Sequence, residues 1–526
     1  MLQCDSAKDC TKAVYDVANK VCYLKGADAP WPFNAGYQSI RLLNGTASQT
    51  GNLGKWAPAV NFPVVPVGAF MVPEQPVSNR ILAFSSWGPY EFSGPTGITQ
   101  FTDYNYKTGA VSQRTVTETK YDMFCPGMSF LSNGSMVVTG GENAEAVNMK
   151  IARGYQSSTT LSDGRIFTIG GSFTGGIGGQ DAVLKVGEVY DPAKNTWTLL
   201  NGCDRTDNHA WLYGWKDGSV FQAGPSKTMH WYGTKNGGSV QLAGTRDGDN
   251  DAMCGINVMF DAVAGKILSA GGSQSYTNSD AFIKAHLITI GQPNQAATVE
   301  KLPDMNFPRG FANTVVLPNG QVVVLGGQAE SLVFTDIQSI YAAELWDPTT
   351  KQFTILAPAS VPRNYHSVAL ILSDGTVWSA GGGLCPVGQG ESTAFCDQTL
   401  NHFDGQILSP PYLFNADGSS ATRPTINSLH SATDANGYTT RVGGTLSVDM
   451  TESGKTTFSL VRLGSSTHSI NTDQRQVPLA NVTRNGARFT IKLRADSGVL
   501  LPGYYYLFAM NEAGTPSIAR MIRVTV

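Results

Sequence analysis

A short phrase returns six times along the chain, and it limits the fold more than any other feature. It reads "LSNGSMVVTGG" ending at Gly141, "LSDGRIFTIGG" at Gly171, "WKDGSVFQAG" at Gly224, "AVAGKILSAGG" at Gly272, "LPNGQVVVLGG" at Gly327 and "LSDGTVWSAGGG" at Gly383. Each copy is a turn, a short apolar run and then glycine. Asn-Gly and Asp-Gly supply the positive φ of a tight hairpin, and the run has the length of a buried strand. A degenerate unit, "NRILAFSSW" ending at Trp87, brings the count to seven. A unit this short cannot bury its own apolar face and must stack on its neighbours. The expectation is an all-β chain with a seven-bladed β-propeller over residues 49–418.

The last four intervals lie close to the roughly 50-residue period of kelch repeats. Outer-strand phrases such as "VYDPAKNTWTLL" and "ELWDPTTKQF" support that reading. With 58 glycines and only 15% charged residues, the composition suits many short strands joined by tight turns. Beyond residue 418 the pattern changes to alternating strands, "GGTLSVDM", "TTFSLVRLG", "ARFTIKLRA" and "GYYYLFAMNEAG", so residues 419–526 are expected to form an immunoglobulin-like β-sandwich. Residues 1–48 are too short for an independent core. Their "CDSAKDCTKAVYDVANKVCYLKG" resembles the end of a PAN or apple module, a cysteine-bearing remnant packed on the propeller.

The net charge of −3, with no run of Lys or Arg, leaves no footprint for nucleic acid or an anionic membrane surface. No stretch reaches the roughly 18 apolar residues of a membrane-spanning helix. The start, "MLQCDSAKDC", lacks the layout of a signal peptide. Eight cysteines, at 4, 10, 22, 125, 203, 254, 385 and 396, and sequons at Asn44, Asn133 and Asn481 favour a secreted, extracellular protein. Cys385 and Cys396 bracket a Gly-rich loop with no further ligand at zinc spacing, so a local disulfide is expected there. The pairing of Cys4, Cys10, Cys22 and Cys203 stays open, and monomer is the default assembly.

A propeller by itself argues no function. Three segments place unusual polar groups just before or between strands: Tyr155 in "RGYQSS", adjacent Tyr365 and His366 in "NYHSVA", and His468 in "THSINTDQR". Adjacent residues on a regular strand face opposite sides. Tyr365 and His366 can therefore serve one centre only where the backbone is irregular. Taken singly, each is better explained as a buried tyrosine satisfied by backbone, a surface histidine at 366 or a satisfied histidine at 468 than as a ligand. Together, two imidazoles and two phenolates would suit copper better than zinc.

The segments "MFCPG", "RGYQSS", "TDNHAWLYGW", "DAMCG", "YHS", "GGGLC", "NHFD" and "THSINTDQR" resemble, in order and over about 450 residues, the galactose oxidase family of copper radical oxidases. The resemblance implies one copper ion held by Tyr155, Tyr365, His366 and His468, with a thioether joining Cys125 to Tyr155 as a protein-derived radical cofactor. Tyr155, Cys125 and Tyr365 are then the catalytic residues, and no flavin or dinucleotide is needed. The implied reaction takes a primary alcohol to an aldehyde and O2 to H2O2, with Tyr365 as general base and the Tyr155 radical abstracting hydrogen. Cys254 is implied as a free thiol near the site, and a peroxide-using enzyme as a partner.

The resemblance also marks a pocket of Phe92, Phe173, Arg205, Thr277 and Phe334. Phe173 and Thr277 stand where sugar-oxidising members carry a tryptophan and a glutamine, whereas Arg205 keeps a sugar-contacting arginine. Losing two hydrogen-bonding partners weakens discrimination for carbohydrate. The expected substrates are aryl, alkyl or furan primary alcohols, with weaker activity on galactosides. Competing readings are a galactose 6-oxidase, a glyoxal oxidase using the same ligands, and a non-catalytic kelch propeller that binds a protein or glycan.

Overall fold

The computed structural model describes strands 12–16, 21–25 and 37–41 and residues 50–94, 97–141, 149–171, 185–204, 208–246, 250–386, 397–452 and 454–526. Seven sheets follow one another along the chain, each built outward from its first strand. These first strands are Gly68–Met71, Gly127–Phe130, Ser157–Thr160, Trp211–Gly214, Ile256–Asp261, Asn313–Val316 and Ser367–Ile371, and they begin blades 1 to 7. Blade 2 shows two strands among the described residues. In blade 7 the strand Asp404–Ser409 pairs with Lys55–Trp56 and Val60–Asn61, so the two ends of the repeat region lie in one sheet and close the ring.

The repeated turn differs in detail from the tight hairpin expected from its sequence, in which both residues of the Asn-Gly or Asp-Gly pair take positive φ. In the phrase ending at Gly171, the amide of Gly164 donates to the carbonyl of Leu161 at 3.0 Å, and Leu161 donates to Arg165 at 2.8 Å. This is a three-residue loop in which only glycine is left-handed, with Gly164 at φ +86°. Asp163 serves instead as an acceptor, taking the Arg165 amide on its carboxylate at 3.1 Å. Asn133, Asn319 and Asp374 accept from Ser135, Gln321 and Thr376 in the same way.

Beneath the glycine pairs runs a second repeated device. Arg153 is fully buried, pairs with Glu188 at 2.8 Å and donates to the carbonyl of Gly170 at 3.0 Å. Arg309 repeats this with Glu344 at 3.0 Å and Gly326 at 2.6 Å. Arg363 pairs with Asp404 and donates to Gly381 at 3.0 Å. Each arginine lies two residues before a channel-facing aromatic: Tyr155, Phe311 or Tyr365.

The C-terminal region forms two sheets. One carries Ile426–Ser431, Thr445–Met450, Arg488–Lys492 and Val482–Asn485, and the other Thr439–Arg441, Arg520–Thr525, Gly503–Met510, Thr457–Arg462 and Gln476–Leu479. Between Arg462 and Gln476 the chain leaves the sandwich and enters the propeller channel. There it meets every blade. Ser465–Thr467 pairs with Gly68–Phe70 of blade 1. Asp473 accepts the Phe130 amide of blade 2 at 3.2 Å, and the Thr472 hydroxyl donates to Ser158 of blade 3 at 2.6 Å. Arg475 donates to Gly214 of blade 4 at 3.0 Å and forms a bridge with Met259 of blade 5. Gln474 donates to Thr314 of blade 6 at 2.9 Å, and Ser466 accepts the Ala369 amide of blade 7 at 3.3 Å. The charge of Asp473 is matched by buried Arg462. At the N-terminus the three short strands form one antiparallel sheet centred on Lys12–Asp16. Cys4 and Cys10 lie outside the described residues, as does the Asn44 sequon.

The ion pair of Arg153 and Glu188 generates a stability prediction. Arg153→Met leaves a buried carboxylate uncompensated and should lower unfolding free energy by about 3–5 kcal/mol, read from the denaturation midpoint. Adding Glu188→Leu should recover most of the loss, because removing both charges avoids the unpaired state.

Candidate metal centre at the channel mouth

The chemistry-bearing side chains share one structural position. Cys125, Tyr155, His209, Cys254 and Phe311 each stand two residues before the first strand of blades 2 to 6, and Tyr365 and His366 fill that place in blade 7. All but Tyr365 have left-handed backbone: φ is +57° at Cys125, +60° at Tyr155, +48° at His209, +56° at Cys254, +59° at Phe311 and +67° at His366. That conformation is costly for a residue with a Cβ and persists only where the surroundings enforce it. Here they do so by backbone hydrogen bonds from blade to blade. Tyr155 donates its amide to Cys125 at 3.0 Å, His209 to Tyr155 at 2.9 Å and Phe311 to Cys254 at 2.9 Å. At Gly171 a Cβ would stand 2.5 Å from the carbonyl of Gly154, so only glycine lets Tyr155's loop come this close.

The irregular backbone required for Tyr365 and His366 to share a centre is present at His366. His468 arrives from the opposite direction on the C-terminal loop, also left-handed at φ +49°. The Sγ of Cys125 and ring nitrogens of His366 and His468 lie within 4.8 Å of one another. Cys125 Sγ is 3.2 Å from His468 Nε2, and the hydroxyls of Tyr155 and Tyr365 are 3.3 Å apart. Cys125 and Tyr155 also pack in one buried cluster.

The protonation of this group follows from burial. His366 Nδ1 donates to the carbonyl of Gly383 at 2.6 Å, which leaves its Nε2 with a lone pair. That Nε2 is buried and has no hydrogen-bond partner among the described residues. Burial pushes His366 and His209 down to about 3, and His468 well below the ordinary imidazole value. Desolvation raises the phenols of Tyr155 and Tyr365, with further upward pushes from Cys125. The phenols therefore keep their protons unless a cation takes their place. A buried orphan nitrogen, a second neutral imidazole and two converging phenols form a donor set that fits a nitrogen- and oxygen-preferring transition metal such as copper.

Three loops form the wall above the centre. Phe92 is held by a parallel bridge pair, Glu91–Phe92 against Cys385–Pro386, and Asn401 ties both sides by donating to Tyr90 at 2.8 Å and accepting the Leu384 amide at 2.7 Å. Phe92 stacks on Phe124 at 4.4 Å and on Phe334 at 5.9 Å, and Phe124 stands edge-on to His366 at 5.1 Å. Phe334 lies 5.3 Å from the ring of Tyr365. Of the pocket residues expected from sequence, Phe92 and Phe334 thus flank the centre. Thr277 is half-buried, and its neighbour Tyr276 reaches the centre, with a hydroxyl 3.0 Å from that of Tyr365. Phe173 and Arg205 lie outside the described residues. Cys385 is disulfide-bonded, while Cys396 lies outside them. Cys203 and Cys254 are buried free thiols, and Cys254 packs against Tyr365 and Phe311. Tyr276, His209 and Phe124 were not singled out from the sequence. The repeated position before each first strand is the signal that marks His209.

Comparison with known proteins agrees with this architecture. Residues 153–203 match the kelch motif, 238–390 the glyoxal oxidase N-terminus, and 423–524 the galactose oxidase-like early set domain. The chain is 44% identical over 529 residues to galactose oxidase of Gibberella zeae, covering 94% of this chain and 74% of the relative. It is 26% identical over 456 residues to aldehyde oxidase GLOX of Vitis pseudoreticulata, covering 77% and 82%. A solved fungal alcohol oxidase of the AA5 family, in complex with copper, superposes with a TM-score of 0.81 at 45% identity, covering 90% of this chain and all of that one. The chain belongs to the galactose oxidase family of copper radical oxidases.

The buried imidazoles make stability depend on pH. In the unfolded chain they bind protons near 6.5, whereas in the folded protein His366 and His209 stay neutral down to about 3. The unfolded state then binds more protons, so stability falls as pH drops from 6.5 toward 3. Urea midpoints of the metal-free protein should fall steadily across this window, and His366→Gln should flatten the slope by one imidazole's share. A midpoint independent of pH would contradict it.

Proposed function

We propose that the chain is a copper-dependent alcohol oxidase that converts RCH2OH and O2 to RCHO and H2O2. The observation that carries this is the convergence of ring nitrogens of His366 and His468 with Cys125 Sγ, packed against the rings of Tyr155 and Tyr365 whose hydroxyls meet, at one buried place, with His366 Nε2 left unsatisfied among the described residues. Family membership supports the same reading. Tyr155, Tyr365, His366 and His468 would hold the metal. Bound there, copper supplies Lewis acidity toward a hydroxyl and takes up one of the two electrons the oxidation releases.

The protein supplies the rest. Tyr365 Oη receives the alcohol's hydroxyl proton as general base. Tyr155, oxidised by one electron, abstracts a hydrogen atom from the alcohol carbon, and O2 takes both electrons and two protons to leave as H2O2. A thioether between Cys125 Sγ and the Tyr155 ring would lower the potential of that phenol by sulfur conjugation. Its formation removes one hydrogen from the thiol and one from the ring, with O2 as the two-electron acceptor. The contact of Cys125 and Tyr155 in one buried cluster supports it. Near-complete burial, with Tyr155 7% and Tyr365 3% exposed, keeps bulk water from the reacting atoms.

For the substrate, the stacked wall of Phe92, Phe124 and Phe334 favours aryl and furan primary alcohols over polyhydroxylated ones. Galactosides are the second reading, supported by the identity with galactose oxidase. Secretion is supported by the disulfide-bonded Cys385 and by the exposed sequons at Asn133 and Asn481. No helix among the described residues is long and apolar enough to cross a membrane.

Copper loading under air should reduce the mass of the peptide pair carrying Cys125 and Tyr155 by two hydrogens, and Cys125→Ser should abolish the change. Tyr365→Phe should keep most of the copper and lower kcat by about 100-fold or more. Peroxide release across benzyl, furfuryl and aliphatic alcohols, galactosides and glyoxal should be greatest for the aromatic alcohols. Preference for galactosides would replace the substrate assignment.

A further inference from the structure

The position that blades 2, 3 and 7 fill with Cys125, Tyr155 and His366 is filled in blade 4 by His209, which none of the proposed metal-holding roles uses. His209 is buried, and its amide is committed to the carbonyl of Tyr155 at 2.9 Å. Its ring stacks on His468 at 5.1 Å with an interplanar angle of 15°, stacks on Tyr276 at 5.7 Å, and stands edge-on to Tyr155 at 5.1 Å. His209 Nε2 lies 3.2 Å from the hydroxyl of Tyr276, and that hydroxyl lies 3.0 Å from the hydroxyl of Tyr365. Three groups on three different blades are thus joined in a line that ends on the phenol oxygen assigned as general base.

Tyr276 is brought to this line by its own anchorage. Ser279–Asp280 pairs with Glu330–Ser331, and Asn278 donates its amide to Ser331 at 2.6 Å, so the loops bearing Tyr276 and Phe334 are fastened together on either side of Tyr365. Phe311 packs against the Tyr276 ring at 5.7 Å and the Tyr365 ring at 4.9 Å. The ring of Tyr276 therefore has little freedom to turn away.

A phenol has one hydrogen to give. When the Tyr365 oxygen serves as a ligand or base it must accept from Tyr276, and Tyr276 then has no hydrogen left for the imidazole. The remaining contact is satisfied only if His209 Nε2–H donates to the Tyr276 oxygen. We propose that Tyr276 and His209 are positioning residues for the reaction, a directed hydrogen-bond chain from His209 through Tyr276 that fixes the orientation of the Tyr365 oxygen at the centre. This rests on the assignment of Tyr365 made above.

The experiment uses copper-loaded enzyme and four variants: Tyr276→Phe, His209→Phe, His209→Gln and, as reference, Tyr365→Phe. Tyr276→Phe keeps the packed ring and deletes one hydroxyl. It should lower kcat about tenfold, the loss of one hydrogen bond to a ligand oxygen, with KM for benzyl alcohol changed less than twofold. The copper(II) EPR and visible spectra should shift at unchanged copper stoichiometry. His209→Phe preserves a stacking ring without a donor and should reproduce the loss, whereas His209→Gln, which retains an N–H, should lose less. Wild-type kcat and an unchanged spectrum in Tyr276→Phe, alongside an impaired Tyr365→Phe, would overturn the chain and leave the oxidase reading intact. Full activity in Tyr365→Phe would overturn the assignment of the base and the chain with it.

Discussion

The polar segment that crosses the propeller channel, residues 465–476, is the interaction on which the rest of the structure depends. Buried polar groups cost free energy unless each finds a partner, and here the partners are spread over all seven blades. Asp473 alone is matched by Arg462, Ser465 and the Phe130 amide. A ring of sheets held only by apolar contacts between blades could slide or splay by small amounts. With a hydrogen-bonded axle, any such motion leaves several buried groups unpaired at once. The same segment carries His468 near its start, so the element that fixes the ring also delivers this imidazole to the centre.

A second constraint acts from the other side. The buried guanidinium of Arg153, Arg309 or Arg363 holds a carboxylate of its own blade and the carbonyl of a glycine pair. The loop two residues onward then has no freedom to relax. The centre is therefore gripped from within by the axle and from without by the clamps. Its geometry does not need the metal to bring the ligands together, because the hydroxyls of Tyr155 and Tyr365 and the imidazoles of His366 and His468 already converge.

Much of this was legible in the sequence. The hairpin phrase marks the first two strands of each blade from 2 to 7, because a glycine at positive φ closes each of those turns. Tyr155, Tyr365, His366 and His468 were marked by residue type and by the resemblance. Two features escaped for physical reasons. The closure of blade 7 by residues 55–61 pairs strands about 350 positions apart, and neither strand carries the repeat phrase. Tyr276 carries no motif that separates it from ordinary core residues, and His209 is marked only by its place two residues before a first strand. Their importance lies in which oxygen each reaches, and that is set by loops whose conformation periodicity does not encode. Thr277 and Tyr276 are neighbours, and a resemblance taken position by position is silent on which of the two reaches the Tyr365 hydroxyl, a contact that Tyr276 makes.

The left-handed residues before the first strands have a wider consequence. Cysteine, tyrosine, histidine and phenylalanine all occupy the same backbone socket in different blades, so the frame is indifferent to what each socket holds. Chemistry can then be rewritten by exchanging plugs in a fixed ring, without redesign of the scaffold. An engineer wishing to install another ligand set would find the Cys254 and Phe311 sockets already aimed at the reaction centre.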